Sequence, residues 1–177
     1  YRVVDLGTNE DALTGELGEV WIRGPQVMKG YLNNPEATAD MIDPDGWLHT
    51  GDIGRADVDG YLYVVDRVKE LIKYKGLQVA PAELEGVLQS HPAVADVAVI
   101  PVPDVEAGEI PKAFVVTKPG TESTEEELMS HVADRVAPHK KVRIVEFIDA
   151  IPKVPSGKIL RRELRDRERK NRDTAGY

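Results

Sequence analysis

The chain contains no cysteine. That excludes a disulfide framework, thiolate zinc sites and a cysteine nucleophile, and it fits a cytoplasmic protein. Long apolar runs are missing too. The longest stretches, such as VADVAVIPV at 94–102, are far too short to cross a bilayer, so no membrane partner is expected. Positive charge is not in surplus: 23 Lys and Arg stand against 31 Asp and Glu, a net charge of −8. Such a surface does not advertise nucleic-acid binding. The four histidines, His49, His91, His131 and His139, lack metal-ligand spacing, so no metal site is expected among them. The chain also lacks an initiator methionine and opens at YRVVDLG as if already in a strand, which reads as a piece of something longer.

What is present is a 177-residue chain, 41% apolar and 31% charged, enough for one ordinary domain or one domain plus part of another. Residues 1–66 are punctuated by turns and short strands. ELGEVWIRG alternates as a strand and closes at Gly24-Pro25, NNPEATADMI suits a short helix with Pro35 near its start, and DVDG at 57–60 reads as a hairpin connection into YLYVVD. As a calcium loop DVDG lacks the downstream ligands and the bidentate glutamate.

After Asp66 the rhythm changes. RVKELIKYKGLQVA suggests a hairpin turning at Lys75-Gly76, and PAELEGVLQSH puts Leu84, Val87, Leu88 and His91 on one helical face. VADVAVIPV, PKAFVVT and VRIVEFIDA read as strands. TESTEEELMSHVADRVAPHK predicts a helix with a Thr124–Glu127 capping box, an apolar face of Leu128, Met129, Val132, Ala133 and Val136, and a stop at Pro138. ILRRELRDRERK predicts a charged terminal helix, with seven basic and four acidic residues in RRELRDRERKNRD favouring a solvated, salt-bridged element. The order predicts an α+β class: a small carboxyl-terminal domain over 67–177, with a short antiparallel sheet and flanking helices, preceded by a β-rich edge of a different domain over 1–66.

Three clusters carry polar chemistry. WLHTGD, 47–52, places Asp52 beside a glycine, where a carboxylate can accept hydrogen bonds from sugar hydroxyls or serve simply as a turn residue. In DRVKELIKYKGLQ, Lys69, Lys73 and Lys75 fall at alternate-residue spacings and would share one face of an extended segment. Such a face could meet a polyanion, or it could merely guard a sheet edge against aggregation. In PKVPSGK, Lys158 follows Ser156-Gly157 just before a helix. It is not a P-loop, because the first glycine position is Pro152 and Ile159 follows the lysine. The remaining readings are a solvated lysine, or a long point charge delivered to developing phosphoryl and carboxylate charge.

Together, GELGEVWIRGPQVMKGYLNNPEAT, WLHTGD, GYLYVVDRVKELIKYKGLQVAPAELE and IPKVPSGKILRRELR resemble the carboxyl-terminal part of the acyl-adenylate-forming enzymes, closest to 4-coumarate–CoA ligases and luciferase-like acyl-CoA synthetases. The resemblance implies that Asp52, Arg67, Lys69 and Gln78 contact ATP or AMP, with Lys69 also at a hinge. It implies that Lys73 faces the adenylate during thioester formation, that Lys75 and Gly76 line the coenzyme A tunnel, and that Lys158 serves adenylation. ATP with Mg2+, coenzyme A and a carboxylic acid are the implied ligands, and the large amino-terminal domain of the same parent chain, which would hold most of the Mg2+–ATP, is the implied partner. The chain alone is expected to be inert. The family also suggests acetylation and deacetylation of Lys158 as a control. His139 stands where many relatives have tyrosine. A luciferase-like oxygenase, a carrier-protein-loading enzyme and a non-catalytic remnant remain open as alternatives.

Overall fold

The computed structural model describes residues 1–175, with side chains described for 1–172. The chain divides into two compact units, Tyr1–Lys69 and Glu70–Tyr177.

The first unit is an antiparallel meander of β1 (Arg2–Val4), β2 (Gly18–Ile22), β3 (Leu48–Ala56) and β4 (Leu62–Arg67), adjacent in that order, with α1 (Pro35–Met41) between β2 and β3. Its turns are fixed by side chains bonding backbone. Asp57 accepts from the Asp59 and Tyr61 amides at 3.0 and 2.9 Å and from the Tyr63 hydroxyl at 2.9 Å, so the carboxylate that opens DVDG is spent on its own hairpin. Asn34 caps α1 through the Ala37 amide, with Pro35 in the first turn. The buried apolar side chains are Val3, Val4, Val20, Trp21 and Ile53, a thin core.

The second unit contains β5 (Ile72–Tyr74), β6 (Leu77–Val79), α2 (Pro81–Gln89), β7 (Val94–Asp104), β8 (Gly108–Thr117), α3 (Glu125–Ala133), β9 (Ile144–Phe147) and α4 (Arg161–Ala175). The sheet runs β6-β5-β8-β7, with β9 also paired to β8. Alternation along the long β7–β8 hairpin makes two cores. Val97, Val99, Ala113 and Val115 face one side with Leu84 and Leu88 of α2 and Leu128 and Val132 of α3. Ala98, Ile100, Val102 and Phe114 face the other with Leu164 of α4. Both faces are covered, which is why VADVAVIPV reads as a nearly continuous apolar run rather than a clean alternation.

The α+β class expected from the sequence is present, with three differences of detail. β9 runs parallel to β8, Lys112 opposite Ile144 through Val115 opposite Phe147, because the chain crosses over through α3 before returning. The capping box of α3 forms as expected, but the helix stops at Ala133, before Pro138; Val136 still packs against the core from the turn beyond. α4 is salt-bridged but not simply solvated. Leu164 is buried, and Glu168 joins Glu146 around the buried Lys112 of β8. Burial opposes the Lys112 charge, yet the hydrogen bonds to Glu146 and Glu168 outweigh it and hold the pKa above the ordinary lysine value.

Candidate functional site

In the first unit, Asp52 on β3 lies directly opposite Arg67 on β4, and their side chains meet at 3.2 Å. The Thr50-Gly51 segment bulges out of register with β2. Thr50 donates its hydroxyl to the Val20 carbonyl at 2.7 Å and accepts from the Asp52 amide at 3.1 Å. Glu19 accepts from the Gly51 amide and from the Trp21 indole, both at 2.9 Å. The ring of Trp21 stacks on His49 at 3.9 Å. This scaffold presents the Asp52 carboxylate and the Arg67 guanidinium, both partly exposed, as a matched acceptor and donor pair. The role of Glu19 escapes local sequence reading, because its partner is 32 residues away.

The three lysines of the second cluster do not share one extended face. Lys69 lies in a 3-10 turn, Val68–Glu70, and only Lys73 belongs to a strand. Lys75 occupies the left-handed region at φ 49°, beside Gly76 at φ 80°, forming a tight hairpin turn. The backbone thus leaves the strand conformation on both sides of Lys73, and the alternate-residue rule fails there. What the hairpin does bring together is Lys73 and Gln78. They are direct cross-strand partners and both are exposed, while Ile72 and Val79 are paired and buried. Glu109 pins the edge by accepting from the Lys73 amide at 2.8 Å.

The Lys158 loop is ordered by its own backbone. Lys153 bridges Ile159, Val154 donates to the Lys158 carbonyl at 3.0 Å, and Gly157 donates to the Val154 carbonyl at 2.8 Å with its φ at 85°. The closed turn leaves the Lys158 side chain exposed, and its ammonium has no ion-pair partner among the described residues. Lys153 anchors the loop to Asp96 near the start of β7 at 2.7 Å, and Arg161 just beyond it grips Glu85 of α2. The Lys73–Gly76 hairpin attaches at the opposite end, where Tyr74 pairs with Gly108 and Lys75 donates to the Ala107 carbonyl. From Asp96 to Asp104, at ~3.3 Å per strand residue, the anchors are separated by roughly 25 Å of strand. The two cationic segments are therefore held apart on one compact unit.

The junction is equally defined. Arg67 is the last residue of the β3–β4 ladder, whereas Glu70 is ion-paired to Arg165 of α4 at 2.8 Å and Leu71 and Ile72 are buried. Only Val68 and Lys69 lie between.

A carboxylate–guanidinium pair on the β unit and exposed lysines on two separate segments of the α+β unit are chemistry that suits a phosphorylated, hydroxyl-bearing ligand. Comparison with known proteins narrows it. Residues 83–158 match the family described as AMP-binding enzyme C-terminal domain. The chain is 63% identical to the 4-coumarate–CoA ligase-like 6 of Oryza sativa subsp. japonica over 163 residues, 92% of this chain and 27% of that protein. It is 57% identical to 4-coumarate–CoA ligase 5 of the same plant, over 93% of this chain and 30% of that protein. Among solved structures, ATP-bound MatB from Rhodopseudomonas palustris superposes with a TM-score of 0.86 at 33% identity, covering 93% of this chain and 33% of that one. The chain belongs to the acyl-adenylate-forming superfamily, as its carboxyl-terminal portion, and the relatives named above are 4-coumarate–CoA ligases or 4-coumarate–CoA ligase-like proteins. It spans less than a third of the length of these curated relatives.

Proposed function

We propose that this chain is the lid-bearing end of an ATP-dependent acid–CoA ligase acting on an aromatic or fatty acid. In the first half-reaction the acid's carboxylate oxygen bonds to the α-phosphorus of ATP and pyrophosphate leaves. Two anions repel on that approach. Lys158, as a point charge between them, offsets the repulsion and stabilises charge on the phosphoryl oxygens. In the second, the thiol sulfur of coenzyme A bonds to the acyl carbon, AMP leaves with the former carboxylate oxygen, and the thiol proton passes to solvent. Lys73 and Gln78 then face the adenylate, with Lys75 and Gly76 along the thiol's path. Asp52 accepts from the ribose hydroxyls, and Arg67 orients that carboxylate while contacting the nucleotide. Magnesium enters as part of the nucleotide substrate; among the described residues no group of three acidic or imidazole side chains is placed to hold it.

The observation that carries this reading is the separation of the two lysine-bearing segments on one compact unit, beyond a two-residue junction at Val68-Lys69. One pose cannot deliver both lysines to one adenylate, so the unit must pivot between half-reactions. Rotation about Val68-Lys69 leaves both units intact. By this reading the 177-residue chain alone has no activity, since the acid pocket and phosphate loop belong to the larger domain. ATP–pyrophosphate exchange by the isolated chain above background overturns that expectation. Acetylation of the exposed Lys158 abolishes adenylation by removing its charge. Incubating the parent enzyme with ATP, coenzyme A and pooled aromatic and fatty acids tests the function directly. Acyl-CoA by mass spectrometry names the substrate; acyl-AMP without acyl-CoA sends the acyl group to another acceptor.

A further inference from the structure

The bonds inside the Lys158 loop fix its shape but not its aim. The Lys153–Ile159 bridge and the Val154 and Gly157 amide bonds all close within the loop itself. Ile159 adds an apolar footing on the core of Phe114, Ile151 and Leu164, but apolar contact is non-directional. Direction comes from two charged feet. At one, the Lys153 ammonium meets Asp96 at 2.7 Å; at the other, one Nη of Arg161 reaches the two oxygens of Glu85 at 2.8 and 2.7 Å. The two carboxylates are in turn fastened to a single strand. Asp96 accepts from the Val97 amide at 3.0 Å, and Glu85 from the Val99 amide at 2.9 Å. Among the described strands β7 pairs only with β8, and these are alternate amides along it. The next two alternate positions are Pro101 and Pro103, which have no N–H. An edge that could have paired with another strand is thus closed to one and serves as a mount. The feet differ in strength. The Arg161 and Glu85 side chains are 15% and 13% exposed, against 34% and 32% for Lys153 and Asp96. The buried Nε of Arg161 has no hydrogen-bond partner among the described residues, so Glu85 orients that guanidinium.

We propose that Glu85 and Asp96 are positioning residues for Lys158, two carboxylates that use the open edge of β7 to aim the lysine while touching no substrate themselves. The proposal rests on the ligase reading for what Lys158 does, and deepens it by assigning what holds that lysine in place. Lys158 lies in the chain between the two feet, so both must hold for its ammonium to point one way. A point charge that acts between two approaching anions works only where it is placed, and an error of about 1 Å can cost up to about 100-fold in rate. Lys73 is held separately, through the bond from its amide to Glu109, so the feet have no part in thioester formation.

The test uses the parent enzyme with its acid, supplied with ATP in one arm and with preformed acyl-AMP and coenzyme A in the other. Glu85→Gln keeps an acceptor for the Val99 amide but loses the charge that grips Arg161. It should slow acyl-AMP formation by about 10-fold to 100-fold at an unchanged KM for ATP. Asp96→Asn, at the more exposed foot, should slow it about threefold. Both variants should convert supplied acyl-AMP to acyl-CoA at the wild-type rate, which a general loss of structure would not allow. In a Lys158→Ala background neither substitution should slow adenylation further, because the feet act only through that lysine. Nitrogen-15 relaxation of the 177-residue chain gives an independent reading: Glu85→Gln should loosen residues 154–160 and leave Lys73 to Gln78 unchanged. Equal slowing of both half-reactions, a further loss in the Lys158→Ala background, or an unchanged loop in Glu85→Gln overturns the proposal. If the wild-type parent forms no acyl-AMP, the ligase reading fails and the aim assigned to the loop falls with it. A wild type that forms acyl-AMP, matched by Glu85→Gln at the same rate, sinks the positioning claim alone.

Discussion

The two units hold their chemistry by different means. The first buries few apolar side chains and places Asp52 by side-chain-to-backbone bonds from Glu19 and Thr50 and by an ion pair with the cross-strand Arg67. The second has apolar cores on both faces of its sheet and carries Lys73 on the short strand β5 and Lys158 on a loop at the opposite end of that body. The contrast is what the proposed ligase reading calls for, a static carboxylate in one unit and a second unit that turns as one piece. A body that swings needs internal rigidity, whereas a static site needs local positioning of one carboxylate.

The contrast can be broken by substitution. Phe114→Ala, at a fully buried position of the second unit, should cost about 3–5 kcal/mol, measured by urea unfolding, whereas Leu32→Ala at an exposed position of the first should stay within about 0.5 kcal/mol. Similar losses at both would erase the distinction. Lys112→Met leaves Glu146 and Glu168 facing each other without their shared cation, and a loss of about 3 kcal/mol is expected. Adding Glu146→Gln to it should recover part of that loss. A smaller effect tests the helix start: Thr124→Ala removes the reciprocal capping box of α3 and should cost about 1 kcal/mol.

Acidity separates the units further. Burial, followed by the like charges of Arg135 and His91, lowers the His131 pKa against the Val87 carbonyl that favours protonation. A lowered histidine value means stability is present above about 6.5 and is lost as pH falls through the folded value. In the first unit, Asp5, Asp43 and Asp57 are held below 3.8, chiefly by backbone N–H donors from Thr8, Trp47 and Tyr61. Their contribution is present above 3.8 and disappears only in stronger acid. Amide exchange followed from pH 7 to pH 3 should therefore show α2 and α3 loosening before the turns at Asp5, Asp43 and Asp57. The reverse order contradicts the assignment.

Much of this was legible in the sequence, and the limits are instructive. Local patterns sufficed for the Lys75-Gly76 turn, the Thr124 cap and the apolar stripe of α2, because each depends on neighbours within one turn. The parallel pairing of β9 was not, since strand direction is set by the path through α3 and not by the residues of VRIVEF. The shared face for Lys69, Lys73 and Lys75 failed because the alternation rule presumes a strand, and a 3-10 turn and a left-handed residue intervene. Lys158 and Asp52 stood out through their motifs. Glu19, Arg143 and Arg165, which position or flank the same features, carry no local signal, as their partners are distant in the chain.

The central claim is that the lysines at opposite ends of the second unit serve different half-reactions. The most direct measurement takes the parent enzyme with its acid, and scores acyl-AMP and acyl-CoA for wild type, Lys158→Ala and Lys73→Ala, supplying ATP in one arm and preformed acyl-AMP in the other. The account predicts that Lys158→Ala slows adenylation by at least ~100-fold yet converts supplied acyl-AMP to the thioester normally. Lys73→Ala should accumulate acyl-AMP and form little thioester in either arm. If both variants impair both half-reactions alike, the lysines share one pose and the account is wrong.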